Sequence, residues 1–372
     1  MHSRRWFLII FLVYLLGFFA HALYLKKTVY GDGVFYYSWL RSLVVDHNIN
    51  FTNEYEYFHI NQPMTATGLL ANKYAIGPAL FWAAPFLVTH TVVGGTGYEL
   101  PYQLHVGATS VFFALFGLAL LYRLLRQFFK EIPALFTTLT IAFATNLFFY
   151  GSLDTVNSHA LSFFAATLYL TFLVQKKRNW VAIGLSLGLL GIIRTQDLLY
   201  AVLLVPFAVH RGLFLFIIGL FVGFLPQIIS WQALYGTFWA SPYITGGESF
   251  NLLRPHVLSV LFSTKSGLFL YAPILLLGTI GLFFWKNKLR QWVLAVIILE
   301  LFVVSTWSTW WQGASYGGRM FVSSLPLFAF GIAWVFEWLS RRGWNQRMFI
   351  FTLIAPLALL NVLLMIRFLL IT

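Results

Sequence analysis

The sequence predicts an all-α, polytopic membrane protein. Three observations carry that prediction. Sixty per cent of the 372 residues are hydrophobic and only 9% are charged, where an ordinary soluble domain has about 25% charged residues. Mean hydropathy is +0.79. Apolar runs of helix length recur along the whole chain. A soluble fold of this size lacks the interior to hide so much apolar side chain, whereas a bilayer accepts it as solvent. A soluble enzyme, a disordered chain and a secreted mini-protein are thereby excluded. With no cysteine present, disulfides, thiolate metal sites and cysteine nucleophiles are excluded as well. A net charge of +13 points to nucleic acid in a soluble protein. In a membrane protein Lys and Arg first set topology, so no nucleic-acid partner is expected.

The first apolar run, residues 6–24, stands behind Arg4 and Arg5. A signal peptide opens in the same way. This run is too long for one and ends in Tyr24-Leu25-Lys26-Lys27, a poor cleavage site. It reads as a retained transmembrane helix. Further runs lie near 103–122, 133–150, 157–174, 180–193, 196–210, 212–230, 267–285, 291–306, 320–339 and 348–370. With the first they make about 11 spans at roughly 20 residues each. The stretch 75–93 holds Gly77, Pro78 and Pro85 and is open to two readings, crossing or dipping.

The positive-inside rule separates the two. With the N-terminus in the cytoplasm and 75–93 dipping in without crossing, every tight basic cluster after the first helix faces inward. These clusters include Arg123, Arg126 and Lys130; Lys176, Lys177 and Arg178; Arg211; Lys286, Lys288 and Arg290; and Arg341, Arg342 and Arg347. If 75–93 crossed, all would face outward. The same assignment puts Asp32, Asp46, Glu54, Glu56, Glu99, Asp154, Asp197 and Glu248 on the outer side, with Glu131 and Glu337 inside and Glu300 within a span. Polar chemistry is therefore expected at the outer face of a cell (inner or plasma) membrane.

No repeat or low-complexity segment interrupts the chain, so residues 1–372 read as one transmembrane domain with no separate soluble domain. The first outer loop spans about 25–102, and others cover 231–266 and roughly 307–319. Loops of this length in a compact protein are usually functional or disordered. The first carries Val34, Phe35, Tyr36, Tyr37, Trp39, Leu40, Leu43 and Val44. That spacing is amphipathic and predicts a helix lying on the membrane surface.

Five stretches hold candidate chemistry, each with a plain alternative. Gly31-Asp32-Gly33 is a turn by composition, or a carboxylate placed to take a proton from an acceptor hydroxyl. Lys73, in Asn72-Lys73-Tyr74, is an interfacial anchor or a cation for a lipid phosphate. Asp154 to His159 is a capped turn or a polar cluster between two spans. It shows no metal-ligand spacing. Arg194 and Asp197 form an internal pair, or Arg194 turns its fork to phosphate oxygens. The run Trp307 to Arg319 carries belt tryptophans. It also carries Gly313, Gly317 and Gly318 before Arg319, where glycine lets backbone approach a ligand.

These pieces, in this order, resemble the GT-C superfamily of polyprenyl-phosphate-sugar-dependent glycosyltransferases, such as the protein O-mannosyltransferases and the lipid A aminoarabinose transferase. The features are an N-in first helix, Asp32 opening the first outer loop, the amphipathic segment after it and Lys-Tyr-x-x-Gly-Pro from Lys73. The turn from Asp154 to His159, Gly-x-x-x-Gly-Leu-x-Gly-x-x-Arg ending at Arg194, and Gly-Gly-Arg at 317–319 complete the set. The resemblance implies an inverting transfer of a monosaccharide from a polyprenyl phosphate to a lipid, glycan or protein acceptor. Asp32 would be the catalytic base and Asp154 a second carboxylate near the acceptor or a metal. Lys73, Arg194 and Arg319 would hold the donor phosphate, with His159 and Tyr36 as further substrate-binding residues. No cofactor is assigned, and a divalent metal is left open. Where those families often have an acidic pair in the first loop, this chain has Asp32-Gly33. Two other readings compete: a lipid or glycan transporter (flippase), disfavoured by the missing repeat, and a non-catalytic assembly protein.

Overall fold

The protein is described from a computed structural model, over residues 2–207 and 212–371. Arg211, one of the expected cytoplasmic cations, and the end of the expected span 196–210 lie outside the described residues. The first half runs α1 (His2–Leu25), α2 (Gly33–Val44), α3 (Thr52–Tyr57), α4 (Gly77–Val93), α5 (Leu100–Leu125) and α6 (Glu131–Phe143). A π-helical turn, Phe149–Leu153, leads to α7 (His159–Leu173) and α8 (Trp180–Ile193). A 3₁₀ segment, Thr195–Leu204, precedes α9 (Leu213–Tyr235). Three short helices follow: α10 (Pro242–Thr245), α11 (Val257–Phe262) and α12 (Leu268–Tyr271). The chain ends with α13 (Ile274–Phe284), α14 (Arg290–Thr306), α15 (Leu325–Ser340), α16 (Gln346–Met348) and α17 (Ala355–Ile371). Among the described residues there is no strand, only two isolated bridges.

Among the described residues, four helices are long and apolar enough to cross a membrane: Ser3–Leu25, Leu100–Leu125, Leu213–Tyr235 and Gln346–Ile371. Each turns large apolar side chains outward, for example Leu16, Phe112, Phe214 and Leu363, as a lipid-facing helix must. The other apolar runs give helices of 10–17 residues, so length alone does not reach the expected count of about 11. The run 133–150 shows one reason: its helix stops at Phe143 and resumes as the π-helical turn. The run from 196 adopts 3₁₀ geometry, which rises about 2 Å per residue, so its 10 residues reach roughly 20 Å. Prolines account for two further features. Pro85 and Pro226 lie inside α4 and α9, positions at which proline is tolerated in membrane helices.

Helices α8 and α9 approach backbone to backbone. A Cβ on Gly184 would lie 2.0 Å from the Phe216 carbonyl oxygen, and one on Gly219 would lie 2.2 Å from that of Val181. The glycines before Arg194 are thus the small-residue seam of a helix pair, which brings the end of α8 beside α9. The expected amphipathic helix forms as α2, but it is not half-exposed. Val34, Tyr36, Tyr37, Trp39, Leu40 and Arg41 are all buried, because α3 and α4 close over it. Aromatic rings facing every direction on α2 have partners on every side, which the pattern of a single face does not announce.

Candidate active site

Asp32 occupies the N-cap of α2 but makes no side-chain cap bond. A capping Asp would spend its carboxylate on the first backbone N–H groups. Here one oxygen accepts from the Tyr74 hydroxyl at 2.7 Å and the other from Arg319 Nη1 at 2.6 Å. Gly33 beside it is required sterically, since a Cβ there would fall 2.2 Å from the Val156 carbonyl oxygen. The second acid of the acidic pair has no room at this position.

The segment around Lys73 is laid against α2 by its own polar groups. Asn72 Nδ2 donates to the Phe35 carbonyl (2.9 Å), and Trp39 Nε1 donates to the Tyr74 carbonyl (3.0 Å). The Tyr74 ring stacks on Phe35 with centroids 4.9 Å apart. Tyr235 of α9 reaches the Asn72 carbonyl at 2.9 Å. Tyr74 and Lys73 are fixed as a consequence. Burial first, and the Asp32 carboxylate second, push the Tyr74 hydroxyl well above its ordinary pKa, so it stays a donor. Lys73 Nζ pairs with Glu248 Oε1 at 2.7 Å and lies 5.2 Å from the Tyr243 ring centroid. Glu248 is held in turn by Thr309, 3.2 Å away. The strand of loop after it is zipped to the end of α14, with Asn251 N–H on the Thr306 carbonyl at 2.6 Å.

Arg319 leaves a turn in which Gly317 and Gly318 both have positive φ, +35° and +59°. Left-handed backbone of this kind is glycine's domain. The turn is pinned from within the helical body. Asn146 Nδ2 donates to the carbonyls of Gly317 (2.5 Å) and Gly318 (3.1 Å). Tyr150 takes the N–H of Tyr316 and donates to its carbonyl, both at 3.0 Å. Asn361 of α17 accepts from the Tyr316 hydroxyl at 2.6 Å. Burial, the largest single influence, works against the charge on Arg319, but Asp32 together with Tyr150, Tyr74 and Tyr36 holds the guanidinium above its ordinary pKa.

Arg194 does not pair with Asp197. Its Nη1 meets His159 Nδ1 at 2.8 Å and its Nη2 meets Met320 Sδ at 2.8 Å. A guanidinium only donates, so His159 Nδ1 is the acceptor and the ring is neutral. Asp197 instead accepts from Ser323 at 3.0 Å, and Glu300 of α14 bonds the adjacent Ser324. Among the described residues Arg194 therefore has no carboxylate partner.

Asp32, Tyr36, Lys73, His159, Arg194 and Arg319 all line one cavity of about 820 Å³. Asp154 does not line it. Its carboxyl, part of a residue that is only partly buried, is hydrogen-bonded by Asn157 and Tyr30, and burial pushes its pKa up to about 7. Nor does it cap α7, whose N-cap is Ser158. The same cavity is lined by residues that spacing did not single out: Tyr74, Tyr243, Glu248 and Gln312. A divalent ion finds no ligand set here. Among the described residues no group of three or more His, Cys, Asp or Glu is placed to hold one, and both Asp32 oxygens are engaged.

A family model described as dolichyl-phosphate-mannose-protein mannosyltransferase matches residues 103–230, which hold Asp154, His159 and Arg194. Comparison with curated proteins returns no match. Among solved structures, the crystal structure of ArnT from Cupriavidus metallidurans in the apo state is similar, with a TM-score of 0.61 and 13% sequence identity. The similarity covers 94% of this chain and 62% of that one, so the chain spans about three-fifths of that protein's length. At this identity the likeness is one of fold. Family model and fold together bear out the resemblance to the GT-C superfamily.

Proposed function

We propose that this chain is a GT-C membrane glycosyltransferase that moves a monosaccharide from a polyprenyl-phosphate donor to a hydroxyl of a lipid, glycan or protein acceptor. The observation that carries the reading is the cavity: two carboxylates, Asp32 and Glu248, and three cations from distant segments line it together. Asp32 and Arg319, for instance, are 287 positions apart. In this reading the Asp32 carboxylate takes the proton of the acceptor hydroxyl. The acceptor oxygen bonds to the anomeric carbon while that carbon's bond to the phosphate oxygen breaks. The electron pair leaves on the polyprenyl phosphate, and attack in line with the departing bond inverts the centre.

Arg194, whose partners are neutral, is ready for the phosphate. Arg319 and Lys73 rest on Asp32 and Glu248. The donor phosphodiester carries one charge, as each carboxylate does, and the further charge that develops on the departing phosphate competes for both cations. Arrival of the phosphate at Arg319 also releases the Asp32 oxygen that must act as base. Stabilising the departing phosphate in this way is commonly the largest catalytic contribution. Asp154, which does not line the cavity, acts on Asp32 through its charge and touches no substrate. The charge pattern favours an N-terminus in the cytoplasm and a site on the outer face of the cell membrane.

The test is transfer from polyprenyl-phosphate sugars by purified Asp32→Asn, with mass spectrometry of envelope glycans from a deletion strain. We predict a loss of about 10²–10⁴-fold in rate with unchanged insertion and melting. Full activity in the Asn variant refutes the role of Asp32, and unaltered glycans in the deletion strain refute the transfer itself.

A further inference from the structure

Gln312 stands in the wall of the cavity with its backbone in the left-handed region, at φ +64°. It is only 5% exposed. Its Oε1 accepts the Met320 N–H at 3.0 Å. That bond fixes the orientation of the amide, because only the oxygen can accept. The other end, Nε2, is a buried donor with no partner among the described residues. Buried donors are nearly always satisfied. This one belongs to a residue of the cavity wall and is held by its opposite end, which leaves it free for a ligand.

The neighbours indicate which ligand. Met320 joins two walls of the site: its N–H holds Gln312 and its sulfur meets Arg194 Nη2. Gln312 is therefore linked through Met320 to Arg194, the cation that no carboxylate hydrogen-bonds. Two more unpartnered buried donors belong to residues lining the same cavity, Gln196 Nε2 and Arg319 Nε. N–H groups in one cavity wall with such an arginine suit an oxyanion with several acceptor oxygens.

We infer that Gln312 is a donor-binding residue whose Nε2 hydrogen-bonds a phosphate oxygen of the polyprenyl-phosphate substrate, beside Arg194. The inference rests on the glycosyltransferase reading above. It adds a neutral residue that sets affinity for the phosphate and does not take part in proton transfer. Gln312→Glu separates this role from a structural one. The glutamate keeps an oxygen for the Met320 N–H but replaces the free donor with an acceptor that repels phosphate. Gln312→Met removes donor and acceptor at similar size.

The experiment measures binding of farnesyl phosphate and of farnesol to the full-length protein in detergent, with melting temperature as a control on folding. Wild type is expected to prefer farnesyl phosphate. Gln312→Glu should weaken that binding at least tenfold, leave farnesol binding unchanged and raise KM for the donor more than it lowers kcat. Gln312→Met should fall between the two. Farnesyl phosphate binding within twofold of wild type in Gln312→Glu overturns the inference and leaves the proposed function standing. So does an equal loss for farnesol. A wild type that does not distinguish farnesyl phosphate from farnesol overturns the phosphate-donor reading, and the inference with it.

Discussion

Two arginine sites in the same face of the molecule differ in how completely their charges are answered. Arg41 on α2 meets Asp46 at 2.6 Å and Glu54 at 2.7 Å through Nη1, and the Thr96 carbonyl at 2.8 Å through Nε. Its guanidinium lies 4.2 Å from the centre of the Tyr98 ring, which stacks on Tyr57. None of these residues lines the cavity. The network ties α2, α3 and the turn before α5 into one block. Arg194 and Arg319, by contrast, face the cavity, the first with neutral partners and the second with a single carboxylate. A closed charge network stabilises a loop, whereas an incompletely answered one leaves affinity for an anion. Cations of these loops are thus sorted by partners, and not by their position in the sequence.

The largest effect that sharpens this contrast is on the closed site. Removing Arg41 strands Glu54, whose side chain is fully enclosed. Breaking a buried pair in this way costs about 3–5 kcal/mol. We predict that Arg41→Ala lowers the melting temperature sharply, with activity lost only in proportion to unfolded protein. Arg194→Met should do the reverse. Losing one preorganised donor to a developing oxyanion reduces rate by about 10²–10³-fold, and no carboxylate loses a hydrogen-bonded ion pair, although Arg194 favours the charge of buried Asp197 from a distance. Melting of Arg194→Met like Arg41→Ala, or turnover like wild type, breaks the distinction between the two sites. Lys73→Gln comes next. A neutral amide still reaches Glu248, so the fold should hold while KM for the donor rises about tenfold, the scale of one charge-assisted hydrogen bond. An unchanged KM assigns Lys73 to the loop and not to the substrate.

The part of this contrast visible in the sequence is its charged half. In a chain with 9% charged residues, each outer Asp, Lys or Arg is conspicuous, and the candidates Asp32, Lys73, Arg194 and Arg319 could be picked out for that reason. Their partners could not. Arg194 and Asp197 look paired by spacing, but the 3₁₀ segment turns Asp197 to Ser323 and leaves Arg194 to His159. Glu248 and Gln312 sit in loops without periodicity, where only tertiary contact reveals a role. Asn361 offered a signal that spacing did not use: a lone amide in the apolar run 348–370, expensive in a membrane unless bonded. It bonds the turn that carries Arg319. The membrane class followed from composition. The helix lengths did not, because π and 3₁₀ segments break runs that look continuous.

The smallest predicted effect compares two carboxylates, Glu54 in the closed network and Asp154 near the open site. Burial raises both, but Arg41 bonds Glu54 directly and opposes the shift. Asp154 has only neutral hydrogen-bond partners, Asn157 and Tyr30. The nearby Asp32 charge raises it further, while Arg319 lowers it. Its folded value is about 7, against an ordinary value of 3.8. Between these values the folded protein holds a proton that the unfolded chain has released, so folding takes up a proton. The sign follows by linkage: the contribution to stability is fully present below about pH 4 and is lost as pH rises through about 7. We predict that melting temperature in detergent falls by a few degrees from pH 5 to pH 8 through this group, the scale of a modest stability change in a chain of this size. Asp154→Asn, which cannot ionise, should flatten that part of the profile and raise the melting temperature at pH 8. Arg319 couples the same group to the active site. Once a phosphate draws Arg319 away from Asp32, Asp154 loses part of a cation that favours its charge, and the flattening should be larger with farnesyl phosphate bound than without it. An identical slope in wild type and Asp154→Asn shows that the carboxyl is hydrated and ionised like a surface group.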